Sequence, residues 1–191
     1  MAIDQSVINF AVYEDSVEYL GMSKATLPDV TFLTQSISGA GVGGNVEAVI
    51  LGHLEAMTLG LEFRTTTPQS VRLSELRRHS IDLRVAEARK EKHIFVVVPK
   101  STKGGTIAPA TPTSGSGEYA VRYWATYING KKVRELDPLN FICYINGVDY
   151  LAGVRAALGK KSAYAVPPEL HFAAPAYFLS VKGAIQHERR H

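Results

Sequence analysis

Six histidines (His53, His79, His93, His171, His187 and His191) and a single cysteine, Cys143, are the residues of this chain best suited to metal ligation or to a nucleophile-and-base pair. A structural or catalytic metal site draws its ligands from closely spaced residues, and His53, His79, His93, Cys143 and His171 are scattered far apart in sequence, while His187 and His191, four apart, have no other histidine or cysteine near them. No metal site is expected. Cys143 lies in FICYI, the pattern of a buried strand, with no histidine near it in sequence. An inert core thiol is therefore expected rather than a nucleophile. The chain has no GxSxG and no phosphate loop. Gly39-Ala40-Gly41-Val42-Gly43-Gly44 contains GxG, but the next glycine falls at the wrong spacing for a dinucleotide fingerprint and a strand follows where a helix is required. The aromatic stretch YAVRYWATY has rings that can stack on bases, yet they recur at the period of a strand, which favours core or interface. Neither catalysis nor a cofactor is expected.

The elements that would carry these residues are mostly strands. In VINFAVY, Ile8, Phe10 and Val12 share one side, and EDSVEYLGM restarts the alternation after a turn near Glu14-Asp15. In EAMTLGLEFR, Met57, Leu59, Leu61 and Phe63 face one way while Thr58, Gly60, Glu62 and Arg64 face the other, the signature of a half-buried strand. Ile81, Leu83 and Val85 alternate with Asp82 and Arg84; HIFVVVP is a short β-branched run; Tyr119, Val121, Tyr123, Ala125 and Tyr127 alternate again. Two segments read as helix. Thr67 as N-cap and Pro68 at the first helical position start one that extends toward Arg78. The other is VDYLAGVRAALG, with Leu151, Val154 and Leu158 on one side and Gly159 as its stop. The predicted fold is mainly β, an antiparallel barrel or sandwich with one or two short flanking helices.

The tetrapeptide YING occurs twice. After Asn129-Gly130 the residues alternate, which predicts a two-residue type I′ hairpin turn. After Asn146-Gly147 the period becomes helical, which predicts a cap or turn leading from strand into helix. Two loops are predicted, at residues 37–46 and 100–118, the first glycine-rich and the second small and polar. Residues 160–191 read as an extension, partly extended because of prolines at 167, 168 and 175, with a short strand at 177–181.

Charge is unevenly distributed. Residues 1–63 hold eight acids against Lys24 alone, residues 64–159 hold fifteen bases against eight acids, and the extension holds five bases against two acids. Such asymmetry predicts oriented surfaces. No stretch approaches the roughly eighteen apolar residues of a membrane helix and the N-terminus lacks the order of a signal peptide, so a soluble protein made in a cytoplasm, without membrane insertion, is expected.

The order of features resembles the major tail tube protein of phages with contractile tails: an N-terminal hairpin leading into ATLPDVTF, the loop GAGVGGNVEAVI, the strand EAMTLGLEFR, and the ending NGKKVRELDPLNFICYINGVDYLAGVRAALG. Related tubes occur in phage-tail-like bacteriocins and in type VI secretion. The likeness spans about residues 7–159, so that residues 1–159 would form the tube domain, and the extension from residue 160 departs from the family pattern. The resemblance implies a β-barrel-like subunit that assembles with itself into six-membered rings, stacked into a hollow tube through which DNA is ejected. It implies sheath, baseplate and tape-measure proteins as partners, and the virion tail, assembled in the host cytoplasm, as its place. The role of reaching a neighbouring subunit or ring would fall on Ser38, Gly39, Ala40, Gly41, Val42, Gly43, Gly44, Asn45 and Val46. A DNA conduit should not bind phosphates, so an acidic lumen is expected, with Glu14, Glu18, Glu55 and Glu62 as candidates to face it. DNA would pass without specific binding. Two alternatives stand beside this: the tube of a bacteriocin particle, and a small β-barrel binding single-stranded nucleic acid through a basic aromatic face around Arg122 and Trp124.

Overall fold

A computed structural model describes residues 7–39, 43–86 and 90–160. The predicted strand at 177–181, the body of the extension, and Ala40, Gly41 and Val42 of the glycine-rich loop lie outside the described residues. In chain order the elements are β1 (Asn9–Glu14), β2 (Glu18–Tyr19), β3 (Met22–Thr26), β4 (Phe32–Ile37), β5 (Val46–Leu54), β6 (Thr58–Phe63), α1 (Pro68–Arg72), β7 (His79–Ala86), β8 (Glu91–Lys103), β9 (Gly115–Ile128), β10 (Lys131–Asp137), β11 (Ile142–Ile145), β12 (Val148–Asp149) and α2 (Ala152–Ala157). The fold is mainly antiparallel β and sandwich-like, without a closed barrel. No helix among the described residues is long and apolar enough to cross a membrane.

The main sheet is built around β9. One of its edges pairs with β8 along nearly its whole length. The other edge is shared: Gly115–Ala120 pair with β6, whereas Trp124–Ile128 pair with β10. The sheet therefore forks beside Arg122, where a register shift between Val96 and Val97 marks a β-bulge. One branch continues to β3 and the other through β11 to β12, while β7, β1 and β2 extend the sheet beyond β8. A bulge sharpens local twist and bend, and this one lets the two branches face each other across a core.

The bulge also inverts the side chains of β9. Tyr119 and Val121 are buried before it, but after it Trp124 and Thr126 take the core face. The uninterrupted alternation predicted from Tyr119 to Tyr127 is thus broken, because one inserted residue flips every later side chain. Ile81, Phe95, Trp124, Leu136 and Cys143 form one cross-strand row, and Met57, Leu59, Leu61 and Phe63 belong to the same buried cluster. Phe95 and Trp124 stack with ring centroids 5.4 Å apart.

The predicted loop 100–118 shortens to residues 104–114, because β8 runs to Lys103 and β9 begins at Gly115. Glycine within a strand normally weakens it, but the Tyr119 ring lies over Gly117, where an added Cβ would fall 2.5 Å from its hydroxyl. α1 begins as predicted, Thr67 Oγ1 accepting from the Ser70 backbone N–H and Ser70 Oγ accepting from that of Thr67. It ends at Arg72, well short of Arg78.

α2 departs further from expectation. Leu151 is buried, but Val154 and Leu158 are exposed, and the side chain that turns inward is Arg155. Arg155 pairs with the Asp149 carboxylate and donates from Nη1 to the Phe141 carbonyl at 2.6 Å. A buried guanidinium paired in this way takes the place of the apolar stripe that periodicity suggests.

Candidate assembly surfaces

Among the described residues β4 and β5 pair only with each other, forming a two-stranded arm separate from the main sheet. The arm exposes Leu33, Ile37, Val46, Val49, Ile50 and Leu51. An isolated hairpin is marginally stable in water, and a cluster of exposed apolar side chains marks a surface that awaits a partner. The glycine-rich loop is the connection at its tip, between Ile37 and Val46. Its sequence signal was the glycines, while the apolar run VEAVILGHL behind them carried the stronger physical meaning. At the arm's base, Phe32, Val49, Leu51 and Gly52 line an apolar hollow of about 320 Å³ together with Cys143, Ile145 and Tyr150. Cys143 is buried, and that burial pushes its thiol pKa up, away from the thiolate form.

The four acids expected at a lumen have different surroundings. Glu14 is 1% exposed and cannot present charge to an open channel. Its carboxylate accepts from Arg72 Nη2 at 2.8 Å and Arg77 Nη2 at 3.1 Å, and His79 Nδ1 lies 2.7 Å from it. Burial alone would raise its pKa, but hydrogen bonds from His79 and Arg72 outweigh it and hold the carboxyl below its ordinary value. The alternation of Ile8, Phe10 and Val12 already places Glu14 on the core face, as the next residue of the series. Glu18 is half-buried against Arg72, Glu62 is exposed beside Lys24 at 3.2 Å, and Glu55 is exposed on the chain leaving the arm.

Both YING turns have the same backbone. Asn129 and Gly130 have φ of 51° and 79°, and Asn146 and Gly147 have 49° and 96°. Each pair joins two antiparallel strands, β9 to β10 and β11 to β12. Asn146 therefore does not lead directly into a helix: β12 intervenes, and α2 begins only at Ala152. The two-residue β12 is too short to show an alternation in sequence.

Trp124, at the centre of the aromatic face expected to take bases, is turned into the core. Trp124 is 2% exposed, with the Arg134 guanidinium 3.7 Å above its ring centre. Tyr119 is fully buried, and Tyr123 donates its hydroxyl to Glu135 at 2.9 Å. Stacking needs open ring faces, which the buried Trp124 and Tyr119 lack.

Beside Trp124 sits His93, whose Nδ1 accepts from the indole N–H at 3.3 Å. Burial and the Arg134 charge lower its pKa to about 4. His93 is thus neutral at pH 7. An unfolded histidine takes up a proton near pH 6.5, so this site withdraws stability as pH falls from there toward about 4. Proton-detected titration should show the His93 ring unprotonated at pH 5.5; a midpoint near 6.5 would mean that the Glu91 carboxylate, 3.0 Å from Nε2, outweighs burial and the Arg134 charge.

Among the described residues no group of three histidine, cysteine, aspartate or glutamate side chains is placed to hold a metal ion. Among the described residues, β3 and β12 each leave a strand edge unpaired and the arm's apolar side chains are uncovered, and such edges are templates for pairing with another chain. A chain of the sheath–tube complex of an extracellular contractile injection system is similar in fold, with a TM-score of 0.52 and 12% identity over 64% of this chain and 90% of that one. A chain of the anti-feeding prophage baseplate is similar with a TM-score of 0.54 and 8% identity, over 68% of this chain and 99% of that one. The search of curated proteins found no match. The model of the family described as phage tail tube protein FII matches residues 4–159, and the chain belongs to that family.

Proposed function

We propose that this protein is the repeating subunit of a contractile tail, closing into hexameric rings that stack into the conduit for DNA ejection. The observation that carries this reading is the arm. Its exposed apolar residues have no cover within the described residues, and a heterologous contact that covers them, repeated by rotation, closes a ring or continues a stack. Residues 38–46 at the arm's tip are the segment that reaches the neighbouring subunit or ring. Free edges at β3 and β12 would pair between copies, merging the subunit sheets.

The similar folds occur in a sheath–tube complex, a baseplate and a tube-terminating cap, which supports a sheath and a baseplate as partners. A tape-measure protein and passing DNA follow from the tail reading, as does the virion tail, built in the host cytoplasm, as the location. Glu18, Glu55 and Glu62 remain the acids for the lumen, where negative charge repels phosphate and keeps DNA mobile.

Negative-stain electron microscopy of the purified protein, with its solution mass measured across concentration and salt, tests this. Rings or tubes with a central hole are expected. Leu51→Glu, at an exposed arm position, should abolish them while leaving the melting temperature of the subunit nearly unchanged. Tubes that form normally from Leu51→Glu would remove the arm from the assembly.

A further inference from the structure

The register of the main sheet gathers lysines at one end. Lys90 precedes β8, Lys131 follows the Asn129-Gly130 turn, and Ile128 pairs with both Glu91 and Lys131. One rung inward, Arg84 pairs with Lys92, Lys92 with Tyr127, and Tyr127 with Lys132. These two rungs and the adjoining Lys90 thus hold five cations, and Glu91 is the acid described among them. Lys92 reaches Asp82 and Lys132 reaches Glu135, both carboxylates deeply buried. Lys90 and Lys131 are exposed and make no ion pair among the described residues. Val7 and Ile8, at the start of β1, place exposed apolar side chains at the same end of the sheet, Ile8 donating its backbone N–H to Ala86.

The arm has the opposite character. From Ala25 to Phe63 the chain contains Asp29, Glu47, Glu55 and Glu62 but no lysine or arginine. Glu47 is exposed on β5, opposite Ser36, flanked by the exposed apolar residues of the arm, and it too makes no ion pair among the described residues. An apolar arm whose one acid is Glu47, with no lysine or arginine, and a lysine-rich end with exposed apolar neighbours are complementary in both respects. Complementary charge sets register and encounter rate, while apolar burial supplies affinity.

We infer that the lysine-rich end of the main sheet is the seat for the arm of a second copy, with Glu47 of one subunit meeting Lys90 and Lys131 of the next. This rests on the tube reading proposed above and adds to it which two surfaces meet.

Charge exchange in the full-length protein tests it. Lys90→Glu/Lys131→Glu and Glu47→Lys are each expected to raise the protein concentration needed for tubes about tenfold, the equivalent of about 1.4 kcal/mol per contact. Combining all three substitutions should restore assembly toward the wild-type concentration. Carbodiimide treatment of wild-type tubes should join Glu47 to Lys90 or Lys131 between subunits. Wild-type assembly in the same buffer separates failure of the tube reading from failure of this pairing. Normal tubes from Lys90→Glu/Lys131→Glu, or a combined variant no better than either parent, would overturn it.

Discussion

Glu14→Ala is expected to destabilise the folded subunit by about 3 kcal/mol, at the low end of what removing one partner of a buried ion cluster costs. The carboxylate is the single acceptor on which β1, α1, the turn after α1 and β7 converge, through Arg72, Arg77 and His79. Without it two guanidiniums and an imidazole face a space that held a negative charge. The estimate sits low because the Arg72 and Arg77 side chains are 38% and 44% exposed and can turn toward water. Glu14→Gln keeps the shape but not the charge, and should lose about half as much, since neutral acceptors bind guanidinium more weakly. Urea denaturation at pH 7 measures both, with an unchanged slope showing that only stability moved. A loss under 1 kcal/mol for Glu14→Ala would mean that the cluster is solvated in solution.

The same residue predicts a pH dependence with a definite sign. Because the folded pKa of Glu14 lies below its ordinary value of 4.5, its stabilisation is complete above that value and is lost as pH falls through the folded pKa. Wild type and Glu14→Ala should therefore converge in stability in acid. His93 acts earlier, between about 6.5 and about 4, and its contribution should persist in Glu14→Ala. Two acid-sensitive steps separated by one substitution would distinguish the sites.

Legibility in the sequence depended on whether a signal was local. The face of β6, the Thr67-Pro68 start of α1 and the Asn129-Gly130 hairpin all follow from periods and turn chemistry within a few residues, and the structure has each of them. The bulge beside Arg122 is invisible because it is defined by pairing with β8, not by β9 itself. Arg155 was passed over because its partners, Asp149 and the Phe141 carbonyl, come together only after two turns of chain. Glu14 continues the series Ile8, Phe10 and Val12 rather than facing a lumen as expected, and an acid there makes sense only once the arginines of a distant segment are placed around it. The glycines of residues 37–46 predict a loop, whereas the two-stranded arm on either side of it, paired with no other described strand, emerges only in three dimensions.

Gly52 ties the arm to the body and should tolerate no side chain. Between the pairs Phe32↔Leu54 and Thr34↔Val49, Leu33 alone faces the four residues from 50 to 53, so β5 must bulge sharply there. Gly52 makes that bend at φ +73°, and a Cβ built on it falls 2.3 Å from Leu151 Cδ2. The left-handed conformation costs a non-glycine residue about 1–2 kcal/mol, and forcing a methyl group into packed atoms costs about 1–3 kcal/mol more. Leu151 cannot simply retreat, because it is 3% exposed and lies between Asp149 and α2, which Arg155 fastens together. Gly52→Ala should therefore lose about 2–5 kcal/mol in urea denaturation, the sum of the backbone and packing costs. It should also stop tube formation at concentrations where wild type assembles, since the arm's root is displaced. Adding Leu151→Ala separates the two causes: the double variant should lose less than the sum of the singles, because the clash is gone while the backbone strain remains. Strict additivity would mean that Leu151 already moves aside, leaving the backbone alone to set the cost.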